Sequence, residues 1–91
     1  RQRAVRELAR DVEVVIAIGG QASANTKKLV LAAKEEGATA YQVERLPDLD
    51  PAWFDGVHRV GITAGASTPD WVIDEIEARI RGFEALQPAP A

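Results

Sequence analysis

The sequence predicts an α/β domain of three layers, with a short parallel sheet in the strand order 2-1-3 flanked by helices. Three observations predict it. Strand-like apolar runs alternate with helical patterns along the chain. The first run, residues 12–18, is nearly unbroken Val, Ile and Ala, as in a strand covered on both faces and therefore central and parallel. Two of the runs end in the same grammar, a loop of Gly, Ala, Ser and Thr that opens a helix.

The first helix is expected over 1–10, where Ala4, Val5, Leu8 and Ala9 fall on one side at helical spacing. The strand over 12–18 follows; Glu13 alone interrupts it and Gly19-Gly20 breaks it. A second helix runs over about 25–36. Leu29, Val30, Ala32 and Ala33 supply its apolar side, Lys27, Lys28, Lys34 and Glu35 face water, and Gly37 offers a left-handed stop. The second strand, 39–43, is more polar and so nearer an edge. Residues 45–56 connect it to the third. Within them Asp50 to Gly56 reads as a one-turn helix, capped by Asp50, with Pro51 at its first position and Gly56 at its end. Trp53 and Phe54 are expected to pack this turn on the body of the domain or against a neighbouring part.

The third strand, 57–63, contains Gly61, a mark of close backbone approach or a bulge. Thr68-Pro69-Asp70 opens the last helix, with Thr68 as a cap and Asp70, Asp74 and Glu75 favouring its positive end. Ile73, Ile76, Ile80 and Phe83 form its buried stripe. The domain thus spans 1–86, and 87–91, with Pro88 and Pro90, reads as a C-terminal tail.

Composition excludes several function classes. At 91 residues the chain is one small domain or a piece of a larger protein, and the lack of Met at position 1 makes it read as a piece. A net charge of −3 disfavours nucleic acid, which calls for concentrated positive charge. Arg1, Arg3, Arg6 and Arg10 share the first helix and are expected on a solvated or domain-facing side. There is no cysteine, hence no disulfide and no thiolate metal ligand from this chain. The single His58 cannot make a metal cluster and falls at the start of the third strand, away from both loops. Asp48, Asp50 and Asp55 read as turn and cap residues, and no spacing singles out a catalytic acid and base. No apolar run approaches the roughly 20 residues of a membrane span, and no secretory signal is present. The expected setting is cytoplasmic, with neither membrane nor nucleic acid as a partner.

Topology and composition select one place for a site. With right-handed crossovers, strands two and three lie on opposite sides of strand one. That arrangement makes a switch point between strands one and three, where ligands of open α/β sheets bind outside the carboxyl ends. The loops leaving those two strands are 19–25 and 63–69. Each feeds a helix start, with unpaired N–H groups and a partial positive charge, and two converging helix starts make an anion pocket. Ser23, Asn25 and Ser67, with Thr26 and Thr68, can donate to phosphate oxygens, while Gly19, Gly20 and Gly65 let the backbone come close. The plainer alternative is that Ser, Thr and Asn are caps and Gly forms turns. Neither the P-loop nor the dinucleotide glycine fingerprint is present.

The runs Ile18-Gly19-Gly20, Ser23-Ala24-Asn25-Thr26-Lys27-Lys28-Leu29, Asp48-Leu49-Asp50 with Trp53-Phe54, and Val60 to Asp70 together resemble the last third of the LytB/IspH family, the 4-hydroxy-3-methylbut-2-enyl diphosphate reductases. The opening Arg1-Gln2-Arg3-Ala4-Val5 is similar to the segment just downstream of that family's last cluster-binding cysteine. The resemblance covers nearly the whole chain except the tail.

The resemblance implies the last step of the methylerythritol phosphate route to isoprenoids. In that step the substrate hydroxyl is removed reductively, giving isopentenyl and dimethylallyl diphosphate. It implies a [4Fe–4S] cluster on three cysteines, ferredoxin or flavodoxin as electron donor, and three α/β domains around the cluster. It also implies that Ser23, Asn25 and Ser67 bind the substrate diphosphate. Some family members carry a second Ser where Ala24 stands here; the Ala24 N–H is the donor left at that place. The cluster cysteines and the family's His and catalytic Glu belong to two N-terminal domains not in this chain. The isolated chain is therefore expected to be inactive and free of iron. The alternatives are a stand-alone phosphoester-binding or regulatory α/β module and an interaction domain whose Gly/Ser loops are only turns.

Overall fold

The computed structural model describes residues 2–83 and 87–90; Arg1, residues 84–86 at the expected end of the domain, and Ala91 lie outside them. β1 (Val14–Ile18) is buried along its whole length, as its unbroken Val, Ile and Ala content requires of a strand covered on both faces. It pairs in parallel with β2 (Thr39–Val43) on one side and β3 (Arg59–Ala64) on the other. The order 2-1-3 expected from the sequence is the order observed, with one strand added beyond β3. In register, Ile18 stands beside Val43 and Ala64, so the three strands leave the sheet at one level.

Alternation along β1 divides the core. Val14, Ile16 and Ile18 pack with Val60, Ile62, Val72, Ile76 and Ile80, under α3 (Asp70–Arg81). Val15 and Ala17 pack with Val5, Ala9, Leu29, Ala32 and Ala33, under α1 (Gln2–Asp11) and α2 (Ala24–Glu35). The second face is built on alanine, which lets both helices settle close to the sheet. Gly61 is a close approach and not a bulge: a Cβ there would stand 2.6 Å from a methyl carbon of Leu8, which lies across it from α1. α2 ends as its sequence predicts, with Gly37 at φ +96°, a conformation that glycine adopts without steric cost.

The 50–56 turn and the α3 stripe follow the expectation in outline and differ in detail. The one-turn helix over 50–56 is a 3₁₀ turn, Pro51–Phe54, preceded by a second, Leu46–Asp48. Asp50 does cap it, its carboxylate accepting from the Ala52 N–H at 2.9 Å. Phe54 is buried and stacks on Phe83 with centroids 5.1 Å apart, and Trp53 stacks on Tyr41 at 4.0 Å; both aromatics pack on the body of the domain. In α3 the buried stripe is Val72, Ile76 and Ile80, with Ile73 and Phe83 only half-buried beside it.

Gln87–Pro90, expected as tail, forms β4, a parallel neighbour of β3 at the sheet edge. Successive N–H groups of a strand point to opposite sides, so Pro88 and Pro90 lose their donors on one side only. Gln87 and Ala89 keep theirs for pairing, which is how a proline-rich segment can close a sheet edge.

The amino ends of the strands are gathered by Glu13, read from the sequence only as an interruption. Its carboxylate accepts from the N–H groups of His58 at 2.7 Å and Arg59 at 3.1 Å, and its own backbone bonds Arg59 on one side and Thr39 on the other. These two N–H donors hold the Glu13 carboxyl below its ordinary value of 4.5. Arg10 and Arg6 do the same for Glu36, joining α1 to α2 at 2.8 and 3.2 Å. Both shifts are depressions. The stabilisation is therefore complete above the ordinary carboxylate range and is lost as pH falls through the folded-state value. Glu13→Gln keeps an acceptor but removes the titration. Urea midpoints measured from about pH 6 to pH 3 are expected to fall less steeply for this variant than for the unmodified chain; parallel profiles would contradict the assignment.

Candidate functional site

At the carboxyl ends of the strands three connections meet. The Gly19 N–H donates to the Val43 carbonyl at 2.9 Å, and the Gly65 N–H donates to the Ile18 carbonyl at 3.0 Å. The loop after β1 is therefore tied to β2, and the loop after β3 to β1. Two further bonds fasten the first loop to β2 and the residue after it: the Gln42 side-chain amide donates to the Gly20 carbonyl at 2.8 Å, and the Gln21 N–H donates to the Glu44 carboxylate at 3.0 Å. The second loop is tied again by Thr68, whose hydroxyl donates to the Ile18 carbonyl at 3.1 Å. Thr68 was expected as the cap of α3, but Pro69 occupies that position without a side-chain bond. The hydroxyl reaches β1 instead, because Ile18 ends beside Ala64 and leaves its carbonyl within range.

Thr26 holds the two loops against each other. It is 1% exposed, and its hydroxyl oxygen would lie 2.0 Å from a Cβ at Gly19 and 3.1 Å from one at Gly65. Only glycine backbone passes the hydroxyl at Gly19 without displacement. Thr26 was expected among the phosphate donors; its burial removes it from that set. Gly20, expected to allow close approach, faces open space.

Ser23 is the N-cap of α2, its hydroxyl oxygen accepting from the Thr26 N–H at 3.2 Å. The next two N–H groups, of Ala24 and Asn25, belong to the first turn, where a helix offers no acceptor. That turn carries no acidic residue, and Lys27 and Lys28 follow it. Its positive end is therefore uncompensated. α3 differs, with Asp70 in its first turn. Asn25 and Ser67 are exposed and make no side-chain hydrogen bond among the described residues.

A cavity of about 240 Å³ opens on the α3 side of the glycines, lined by Gly20, Glu44, Arg45, Ser67, Pro69 and Trp71 among others. Ser67 lines it; Ser23, Ala24 and Asn25 do not, because α2 starts over the opposite sheet face. The candidate donors are thus divided between the starts of two helices that cover opposite faces of the sheet. Three lining residues were not found from the sequence. Arg45 lies with its guanidinium 4.5 Å from the ring centre of Trp71 and 3.7 Å from the Glu75 carboxylate. Trp71 is 56% exposed. Glu44 places a carboxylate at the same rim. A tryptophan directly after Pro69-Asp70 is the one signal that could have drawn attention to them. Among the described residues no group of His, Asp or Glu is placed to hold a metal ion, and no helix is long and apolar enough to cross a membrane.

Residues 1–81 match the LytB protein family over their whole extent. The chain belongs to the LytB family. Among its relatives, 4-hydroxy-3-methylbut-2-enyl diphosphate reductase of Aquifex aeolicus is 49% identical over 89% of this LytB chain and 28% of its own length. The enzyme of the same name from Geobacter sulfurreducens is 50% identical over 92% of the chain and 30% of its own. A solved (E)-4-hydroxy-3-methyl-but-2-enyl diphosphate reductase, described as the terminal enzyme of the non-mevalonate pathway, superposes with a TM-score of 0.86. It is 48% identical and covers 91% of this chain with 30% of its own. The reductase of Plasmodium falciparum superposes at 0.88 with 24% identity, which speaks for the fold alone. The LytB chain thus spans about 30% of the relatives it matches.

Proposed function

We propose that this chain is the substrate-diphosphate-binding domain of a 4-hydroxy-3-methylbut-2-enyl diphosphate reductase, with Ser23, Ala24, Asn25 and Ser67 as the diphosphate ligands. The observation that carries the reading is the joining of the loops after β1 and β3 at one end of the sheet, through Gly65, Thr68 and Thr26, in a chain of the family whose relatives carry that enzyme's name. Asn25 and Ser67 would donate through side chains that have no other hydrogen-bond partner among the described residues. Ala24 and Asn25 would donate through first-turn N–H groups, with the positive end of α2 favouring the anion.

The [4Fe–4S] cluster that the family implies does not fit this chain. There is no cysteine to supply a thiolate, so no redox step is assigned to these residues. The domain's part is to hold and orient one end of the substrate. The cluster, the electron donor (a ferredoxin or flavodoxin), and the cytoplasmic setting go with the two N-terminal domains of the parent enzyme. The chain alone is expected to be inactive.

Titration of the 91-residue chain with pyrophosphate up to millimolar concentration tests the reading. Amide shifts confined to 19–26 and 63–68 are expected. Shifts absent throughout would favour the loops as turns only, and shifts centred elsewhere would point to a different phosphoester module.

A further inference from the structure

Ser23 and Thr26 are joined twice: the Thr26 N–H reaches the Ser23 hydroxyl oxygen at 3.2 Å, and the two hydroxyl oxygens lie 3.1 Å apart. Either hydroxyl could donate across the second contact, and burial decides which does. Thr26 is 1% exposed, and Ser23 is its only side-chain partner among the described residues. If Ser23 donated, the Thr26 proton would be left buried without an acceptor, which costs the full desolvation of that group. Thr26 therefore donates. The Ser23 oxygen then accepts two hydrogen bonds, which fills both of its lone pairs. Its own proton is the one hydrogen-bonding function left. Ser23 is half-exposed at the loop surface, so that proton can be directed outward.

We propose that Thr26 is a positioning residue that commits Ser23 to act as a donor, so that the site accepts an anion and rejects groups that must themselves donate. The inference rests on the diphosphate reading above and deepens it: Thr26 touches no ligand, yet sets the polarity of one that does. The same hydroxyl oxygen that bonds Ser23 is the atom a Cβ at Gly19 would meet at 2.0 Å, so the bond to Ser23 and the need for glycine at 19 rest on one atom.

The test compares Thr26→Val, which keeps the branched shape without the hydroxyl, with Thr26→Ser, which keeps the hydroxyl. Pyrophosphate affinity of the 91-residue chain, read from amide shifts, is expected to weaken about fivefold in Thr26→Val and to be retained in Thr26→Ser. In a Ser23→Ala background the Thr26→Val change should have no further effect, because its action passes through Ser23. Equal weakening with and without Ser23 would mark Thr26 as merely structural and overturn the proposal. So would unchanged affinity in Thr26→Val. The hydroxyl protons give a readout that needs neither a ligand nor a variant. A slowly exchanging Thr26 hydroxyl resonance with contacts to the Ser23 β protons is expected; a protected Ser23 hydroxyl proton lying against Thr26 would overturn the polarity. If no amide of the unmodified chain moves with pyrophosphate, the diphosphate reading fails, and these resonances still decide the direction of the bond.

Discussion

Gly19→Ala is expected to destabilise this domain by about 3 kcal/mol, the upper part of the usual range for overpacking. The added methyl would stand 2.0 Å from the Thr26 hydroxyl oxygen and 3.0 Å from its Cβ and methyl carbons. Thr26 cannot yield easily. Its side chain is β-branched, short and buried, and it sits in the first turn of α2. The loop cannot yield easily either, because the Gly19 N–H is tied to Val43. Against the stability of a small domain, of order 5–15 kcal/mol, the loss is large enough to read as a lower urea midpoint with an unchanged slope. Gly20→Ala, with nothing near the new methyl, is the control and is expected to change little. Removing the Thr26 side chain in the Gly19→Ala background should recover part of the loss, since residues in contact are not additive. A Gly19→Ala chain as stable as the Gly20→Ala control would show that the loops do not meet on Thr26.

On the proposed diphosphate reading, Ser67→Ala and Asn25→Ala in a whole reductase are each expected to weaken substrate binding by about 1.5–3 kcal/mol, the loss of a hydrogen bond to a charged group. The effect should appear as a raised KM, with the iron–sulfur absorbance unchanged. These two residues make the cleanest test because neither side chain makes a hydrogen bond among the described residues, so truncation removes a proposed ligand and little else. Ser23→Ala is less clean: it also deletes the cap of α2, which by itself costs about 1 kcal/mol. Melting temperature separates the cases, with Ser67→Ala and Asn25→Ala expected to melt with the parent and Ser23→Ala below it. Unchanged kinetics in both clean variants would refute the diphosphate assignment.

Most of the architecture was legible from local patterns. The unbroken apolar residues of 14–18 placed β1 at the centre, and alternation of strands and helices gave the order 2-1-3. Helical spacing gave Leu29, Ala32 and Ala33 as one packed side. The switch-point rule placed the loops after β1 and β3 at one end of the sheet, where they are joined. Their residue types were then enough to name the candidate donors, but not to separate ligand from support. Ser23, Thr26 and Thr68 look alike in sequence, as hydroxyls near helix starts, yet one caps, one is buried between loops, and one reaches across to β1.

What the chain by itself determined was therefore which segments form strands and helices, how they are ordered, and which end of the sheet collects the small polar loops. These follow from the spacing of apolar residues and from chain handedness, both written locally. Tertiary structure alone decided that Thr68 bonds Ile18 fifty residues away and that Glu13 gathers the start of β3 from forty-five residues back. It alone brought the prolines of 87–90 to the sheet edge and stacked Arg45 on Trp71. Each of these depends on where a carbonyl, an N–H or a ring stands after the layers have packed, and no local periodicity carries that information.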